Sequence, residues 1–139
     1  MAITIQAYRQ AEGDFWNRMG PFLVDVAVQK EFGGAIASTP GTTWWLAGDG
    51  TGKTIGFGAV EINGYNAKLR YGYAVPAARE QGLYRQLLTA RLDACKAANC
   101  KTARAEVREA NLQDYLSLGF RVTSKSVGFT KVELRLGGQ

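Results

Sequence analysis

Apolar and polar residues alternate from Ile3 to Tyr8 (ITIQAY), the period of a half-buried strand. From Asp14 to Phe32 the spacing lengthens. Phe15, Trp16, Met19, Phe22, Leu23, Val26 and Ala27 recur at three and four, which predicts helix; Gly20-Pro21 is expected to split it in two before Gly33-Gly34 end it. TTWWLAGD and KTIGFGAVEI follow, rich in aromatic and β-branched residues, and the Gly, Asp and Thr between them predict a hairpin. A second hairpin turns at Asn63-Gly64 and returns through AKLRYGYAV, which Val75-Pro76 closes.

GLYRQLLTARLDACKAAN carries the clearest helical pattern in the chain. Tyr84, Leu88, Leu92 and Cys95 share a stripe flanked by Leu83, Leu87, Ala90 and Ala94, while Arg85, Thr89, Asp93 and Lys96 face solvent. KTARAEVRE alternates again as a strand, NLQDYLSL is a short helix, and GFRV with SVGFTKVELRL forms a closing pair of strands. Hairpins combined with single βαβ crossovers predict one α/β domain over residues 1–139, a mixed sheet of about seven strands flanked by helices. Gly58 and Gly72 fall inside strands, where they allow a bulge or the close approach of a ligand.

With 139 residues, 46% of them hydrophobic, the chain can bury one ordinary core. No apolar run approaches the roughly 18 residues of a membrane span, and the start MAITIQAYRQAEGDF lacks the basic and long apolar segments of a signal peptide, so a cytoplasmic protein is expected. The net charge of +5 is dispersed; it suits an anionic small ligand or nucleic acid, and equally a solvated basic surface. Cys95 and Cys100 stand without any histidine, which supports neither a zinc site nor a disulfide framework. The same absence excludes the usual serine or cysteine triad, leaving Glu, Asp, Tyr, Lys or Cys for acid-base chemistry.

Two stretches invite a phosphate. AGDGTGKT, residues 47–54, fits a loose phosphate-loop pattern, but a strand follows it instead of the helix whose N-terminus would hold the anion, so it reads as a turn. In VPAAREQGLYRQLL, residues 75–88, a strand, a loop and a strong helix come in the required order. N–H groups from about Gln81 to Arg85 would face the loop, Arg79 and Arg85 flank it with positive charge, and Gly82 lets the backbone come close.

Here the sequence resembles the GNAT superfamily of acetyl-CoA-dependent N-acetyltransferases. Arg79-Glu80-Gln81-Gly82-Leu83-Tyr84 approaches the signature (R/Q)-x-x-G-x-(G/A), departing from it at Tyr84, and the order of elements agrees over nearly the whole chain. The resemblance implies that Val75 pairs with the pantetheine arm, and that the loop carried by Arg79, Gln81, Gly82, Leu83, Tyr84 and Arg85 holds the pyrophosphate. It also implies that Asn111 contacts the coenzyme, and that Tyr115, four residues before Gly119-Phe120, protonates the departing thiolate. Asn111 as a helix cap and Tyr115 as core packing are the alternatives.

Relatives often use a glutamate on the sheet as base; AKLRYGYAV has none, and Glu61 and Glu106 are the substitutes. Trp44, Trp45, Tyr65, Tyr71 and Tyr73 offer aromatic walls to an acceptor pocket, or simply core. The expected function is direct acetyl transfer from acetyl-CoA to a primary amine, on a small molecule or a protein, with no metal. Its alternatives are a non-catalytic acyl-CoA-binding protein of the same fold and a small basic nucleic-acid-binding module. Terminal strands able to pair between subunits leave room for a homodimer.

Overall fold

The computed structural model describes residues 3–32, 34–79 and 81–136; Gly33, and Glu80 of the loop signature, lie outside them. The chain runs β1 (Thr4–Tyr8), α1 (Phe15–Leu23), α2 (Val26–Phe32), β2 (Thr42–Gly48), β3 (Thr54–Asn63), β4 (Asn66–Ala74) and α3 (Pro76–Arg79). Then come α4 (Leu83–Ala97), β5 (Thr102–Val107), α5 (Glu109–Ser117), β6 (Arg121–Ser126) and β7 (Phe129–Arg135). The strands form one seven-stranded sheet in the order β1-β2-β3-β4-β5-β7-β6. Every pairing is antiparallel except β4 with β5. No helix among the described residues is long and apolar enough to cross a membrane.

α1 and α2 cover one face, packing Phe15, Met19 and Val28 against Trp44, Leu46, Phe57 and Ala59. α4 and α5 cover the other, where Leu83, Leu87, Leu88, Leu92 and Tyr115 meet Leu69, Ala103, Ala105 and Val132. The first helical stretch does not break at Gly20-Pro21: α1 runs through Pro21 to Leu23. The break follows, where the Asp25 carboxylate accepts the N–H groups of Ala27 at 2.8 Å and Val28 at 3.3 Å and so caps α2. AGDGTGKT is the β2–β3 connection, its turn held by Asp49 Oδ1, which accepts the Thr51 N–H at 2.9 Å and hydroxyl at 2.6 Å. β3 follows it directly, so no helix N-terminus is present to take an anion.

Both long-range helices of the second face end in the same device. Gly119 adopts φ 101°, and the N–H groups of Gly119 and Phe120 return to the carbonyls of Leu116 at 3.1 Å and Tyr115 at 3.2 Å, a Schellman motif. The ring of Phe120 packs on that of Tyr115 with centroids 5.2 Å apart, the apolar contact that accompanies such caps. This is the physical content of the Tyr-x-x-x-Gly-Phe spacing. At the end of α4, Asn99 takes the left-handed position with φ 61°; Asn99 and Cys100 donate to the carbonyls of Lys96 and Cys95, each at 3.0 Å. The two cysteines thus face each other as the apolar closure of a helix end.

Burial pushes the Cys95 thiol up from 9.0 to about 11. Below pH 9 folded and unfolded chains both keep this proton. Between 9 and 11 the unfolded thiol releases it while the folded one retains it, so stability falls as pH rises. Urea unfolding at pH 8.5 and pH 11 should show a loss of about 2 kcal/mol from this group, absent in Cys95→Ala. An unchanged loss in that variant would contradict the assignment.

One irregularity in the sheet separates β4 from β5. Phe57 faces Tyr73 and Ala59 faces Arg70, so Tyr71 and Gly72 together oppose the single residue Gly58, a β-bulge. Tyr71 sits there at φ 57°, a conformation that side chains other than glycine rarely adopt. β4 then pairs with β5 only from Asn66↔Thr102 to Leu69↔Ala105, although the strands continue to Ala74 and Val107. Past the last pair they diverge. At the far end, β6 forms the outer edge of the sheet, with every residue exposed and a register shift between Val122 and Ser124.

Candidate active site

The divergence of β4 and β5 opens a cavity of about 320 Å³. Arg70, Tyr71 and Gly72 of β4 form one wall, Glu106 and Val107 of β5 the other, and Tyr84 and Tyr115 close it. A smaller cavity of about 170 Å³ shares Tyr84, Asn111, Glu31 and Arg108 with it and reaches Ala74 and Arg79 toward the start of α4. The bulge therefore explains the cavity: it turns β4 away from β5, and the unpaired stretch of each strand becomes a wall.

Of the first turn of α4, Tyr84 lines both cavities, while Gln81, Gly82, Leu83 and Arg85 line neither. Leu83 and Tyr84 bury their side chains, whereas Gln81, Gly82 and Arg85 remain exposed. Gly82 holds the N-cap in the left-handed conformation, φ 73°, and the Gln86 N–H closes the first turn on the Gly82 carbonyl at 3.0 Å. Helix geometry then leaves the N–H groups of Leu83, Tyr84 and Arg85 without partners inside the helix, a site suited to an anion. The N–H groups of Gln81 and Gly82 already donate to the carbonyls of Ala78 and Arg79 at 3.2 and 3.3 Å. Arg79 is likewise drawn away. Its Nε donates to the Ala74 carbonyl at 2.8 Å, its Nη2 meets Glu31 at 3.1 Å, and its guanidinium lies over the Tyr73 ring.

Val75 has its N–H paired to the Ile55 carbonyl at 2.9 Å and its own carbonyl to the Ala78 N–H at 2.9 Å. Because successive N–H groups of a strand point to opposite edges, it is Ala74 that turns its N–H toward the divergence from β5. Asn111 lies in the first turn of α5 and lines both cavities; the cap position belongs to Arg108.

Tyr115 reaches the cavity from α5, only 2% exposed, and its hydroxyl lies 2.8 Å from that of Tyr84. Tyr84, where the signature has a small residue, thus turns its phenol inward and leaves the loop backbone clear. Its pKa is raised well above the usual tyrosine value, first by burial and then by the charge of Tyr115, while Arg91 draws it down. The phenol is neutral throughout the ordinary pH range.

The carboxylates divide. Glu61 is bound to Arg70 at 2.7 Å and lines neither of these cavities. Glu106 lines the larger one, 3.9 Å from Lys68. Glu31, which no sequence pattern indicated, lines both, carried there by the end of α2. Of the aromatic candidates, Tyr71 lines the larger cavity and Tyr73 the smaller, Trp44 and Trp45 are buried in the two cores, and Tyr65 is exposed beside Lys101. No cluster of three or more potential metal ligands occurs among the described residues.

The described residues bring together a helix start with unpaired N–H groups, a strand edge that leaves its neighbour, and a cavity lined by a buried phenol. Residues 5–120 match the sequence model of the acetyltransferase (GNAT) family. No match is found among curated proteins. Similar solved structures include a GCN5-related N-acetyltransferase of Kribbella flavida, with TM-score 0.73, 21% identity, and 95% of this chain and 98% of that one covered. A GNAT-family acetyltransferase of Staphylococcus aureus has TM-score 0.74 and 16% identity, covering 97% of this chain and 99% of that one. The PaiA N-acetyltransferase of Thermoplasma acidophilum, in complex with coenzyme A, has TM-score 0.73 and 17% identity, covering 97% and 99%. At these identities the likeness is one of fold.

Proposed function

Since this chain belongs to the acetyltransferase (GNAT) family, we propose that it transfers an acetyl group from acetyl-CoA directly to a primary amine, on a small molecule or a protein. The observation that carries the reading is that Tyr84, in the first turn of α4 with its open N–H groups, and Tyr115 both line the β4–β5 cavity, their hydroxyls 2.8 Å apart. In this reading the coenzyme's pyrophosphate is held by the N–H groups of Leu83, Tyr84 and Arg85, with Arg85 supplying exposed charge and Asn111 a further polar contact. Pantetheine runs along the free edge of β4, where the Ala74 N–H is placed to bond it.

The acetyl thioester then enters the cavity. Attack by the amine carries negative charge to the carbonyl oxygen and then to sulfur, and Tyr115 supplies the proton that lets the thiol leave. An alkylammonium has a pKa of about 10.4, so the amine must also lose a proton. Glu106, through water, and Glu31 are the carboxylates that reach the cavity; Glu61 would act only from its ion pair outside it. Both cysteines lie away from the cavity, which supports direct transfer over an acyl-cysteine intermediate. Dependence on acetyl-CoA supports a cytoplasmic setting.

Thermal unfolding with and without acetyl-CoA tests the reading before the acceptor is known. At one hundred times its dissociation constant the ligand should add about 2.7 kcal/mol. Absence of any shift at millimolar acetyl-CoA would overturn it. A second reading, binding without turnover, is favoured by the pairing of Glu31, Glu61 and Glu106 with cations. Release of free CoA thiol across a panel of amines and peptides separates the two.

A further inference from the structure

Arg91 is completely buried, although it belongs to the same helix face as the leucines around it. Its Nε donates to the Leu87 carbonyl at 3.3 Å, and its Nη1 to the carbonyls of Arg70 at 3.3 Å and Ala59 at 3.5 Å. Nη2 has no hydrogen-bond partner. None of the ion pairs among the described residues includes Arg91, so no carboxylate balances its charge there. Such a group is expensive to bury, and its field is weakly screened.

Arg91 lies beside the Tyr84 phenol. A β-carbon on Gly72 would meet the Tyr84 hydroxyl at 2.8 Å and Arg91 Nη2 at 2.9 Å, so both atoms crowd the space that glycine leaves open. A guanidinium can only donate. Tyr84 therefore turns lone pairs toward Arg91, and its single proton is left for the Tyr115 oxygen 2.8 Å away. Tyr115, accepting that bond, has its own proton free to point into the cavity.

We infer that Tyr84 and Arg91 are positioning residues for proton donation by Tyr115: the order Arg91, Tyr84, Tyr115 aims the Tyr115 proton at the leaving sulfur and stabilises the phenolate left behind. The inference rests on the transfer reaction proposed above. As the C–S bond breaks, its electron pair passes to sulfur, which takes the Tyr115 proton; an O–H bond is lost and an S–H bond formed. The phenolate oxygen is held by the Tyr84 hydroxyl and by the nearby positive charge until water returns a proton through the cavity.

The test compares wild type, Tyr84→Phe, Arg91→Met and Arg91→Lys in thiol release, using acetyl-CoA with the best amine of the panel, or water if hydrolysis is all that occurs. Tyr84→Phe, which loses the hydrogen bond to the Tyr115 oxygen, and Arg91→Met, which loses the nearby charge, should each lower kcat about tenfold. KM for acetyl-CoA and the acetyl-CoA thermal shift should not change. Arg91→Met should unfold at no lower temperature than wild type, because an apolar side chain replaces an uncompensated charge. Arg91→Lys, which keeps the charge, should recover part of the rate.

With a thiophenyl acetate donor, whose thiol departs without protonation, variants and wild type should converge. Wild-type kcat in both Tyr84→Phe and Arg91→Met, losses that appear in KM instead, or losses that persist with the aryl thioester would each overturn the assignment while leaving acetyl transfer intact. A wild-type protein that releases no thiol with any acceptor would overturn both.

Discussion

Tyr115→Phe is expected to lower kcat by about 10²–10⁴-fold, the range for a positioned proton donor, with KM for acetyl-CoA and acetyl-CoA-induced stabilisation close to wild type. The ring itself is anchored by features the substitution does not touch: the Schellman closure at Gly119 and the edge contact with Phe120. Only the hydroxyl is lost. Its removal leaves the Tyr84 hydroxyl without its buried partner, so a stability loss of about 1–2 kcal/mol should accompany the kinetic one. That is too small to unfold an ordinary domain. Steady-state kinetics beside a thermal melt decide the matter: a fall in coenzyme affinity equal to the fall in turnover would make Tyr115 a structural residue and remove the acid from the proposed reaction.

The largest effect on stability is expected at Gly58. A β-carbon there would lie 2.7 Å from Arg91 Nε, 2.8 Å from Cζ and 3.1 Å from Cδ. Arg91 has no route to solvent, and its donors are already fixed on three carbonyls. Gly58→Ala should therefore destabilise the protein by about 3 kcal/mol, the upper part of the range for overpacking a close-packed interior. In an Arg91→Ala background the same substitution no longer meets these three atoms and should cost less than about 1 kcal/mol, which makes the pair strongly non-additive. Urea titration of the two single variants and the double variant measures the coupling directly. Additive effects would show that the strand moves aside and that Gly58 does not depend on the arginine.

This dependence marks where sequence reasoning stops. The seven strands, their hairpins and the long helix were legible because their periods are local, and the anion seat at α4 was legible because a strand, a loop and a helix occur in order. The two interior glycines were visible too, read as room for a bulge or a ligand. The bulge is there, but the visitor is an arginine from the chain's own helix. Position 91 lies on the apolar stripe, at helical spacing from Leu87 and Leu88, so the signal existed; the prior that arginine faces water concealed it. Glu31 left no signal at all, because only the packing of α2 over the sheet brings it to the cavity. Tyr84 was the reverse case, visible as a departure from a motif but explained only once Tyr115 was found beside it.

The exposed outer strand carries a further consequence. β6 presents Arg121 and Lys125 along an unpaired edge whose ladder is already interrupted by its register shift. A second copy laid alongside would bring cations toward cations and meet a kinked template, two devices that discourage ribbon-like polymerisation. Concentrated solutions at low ionic strength should therefore stay free of fibrils.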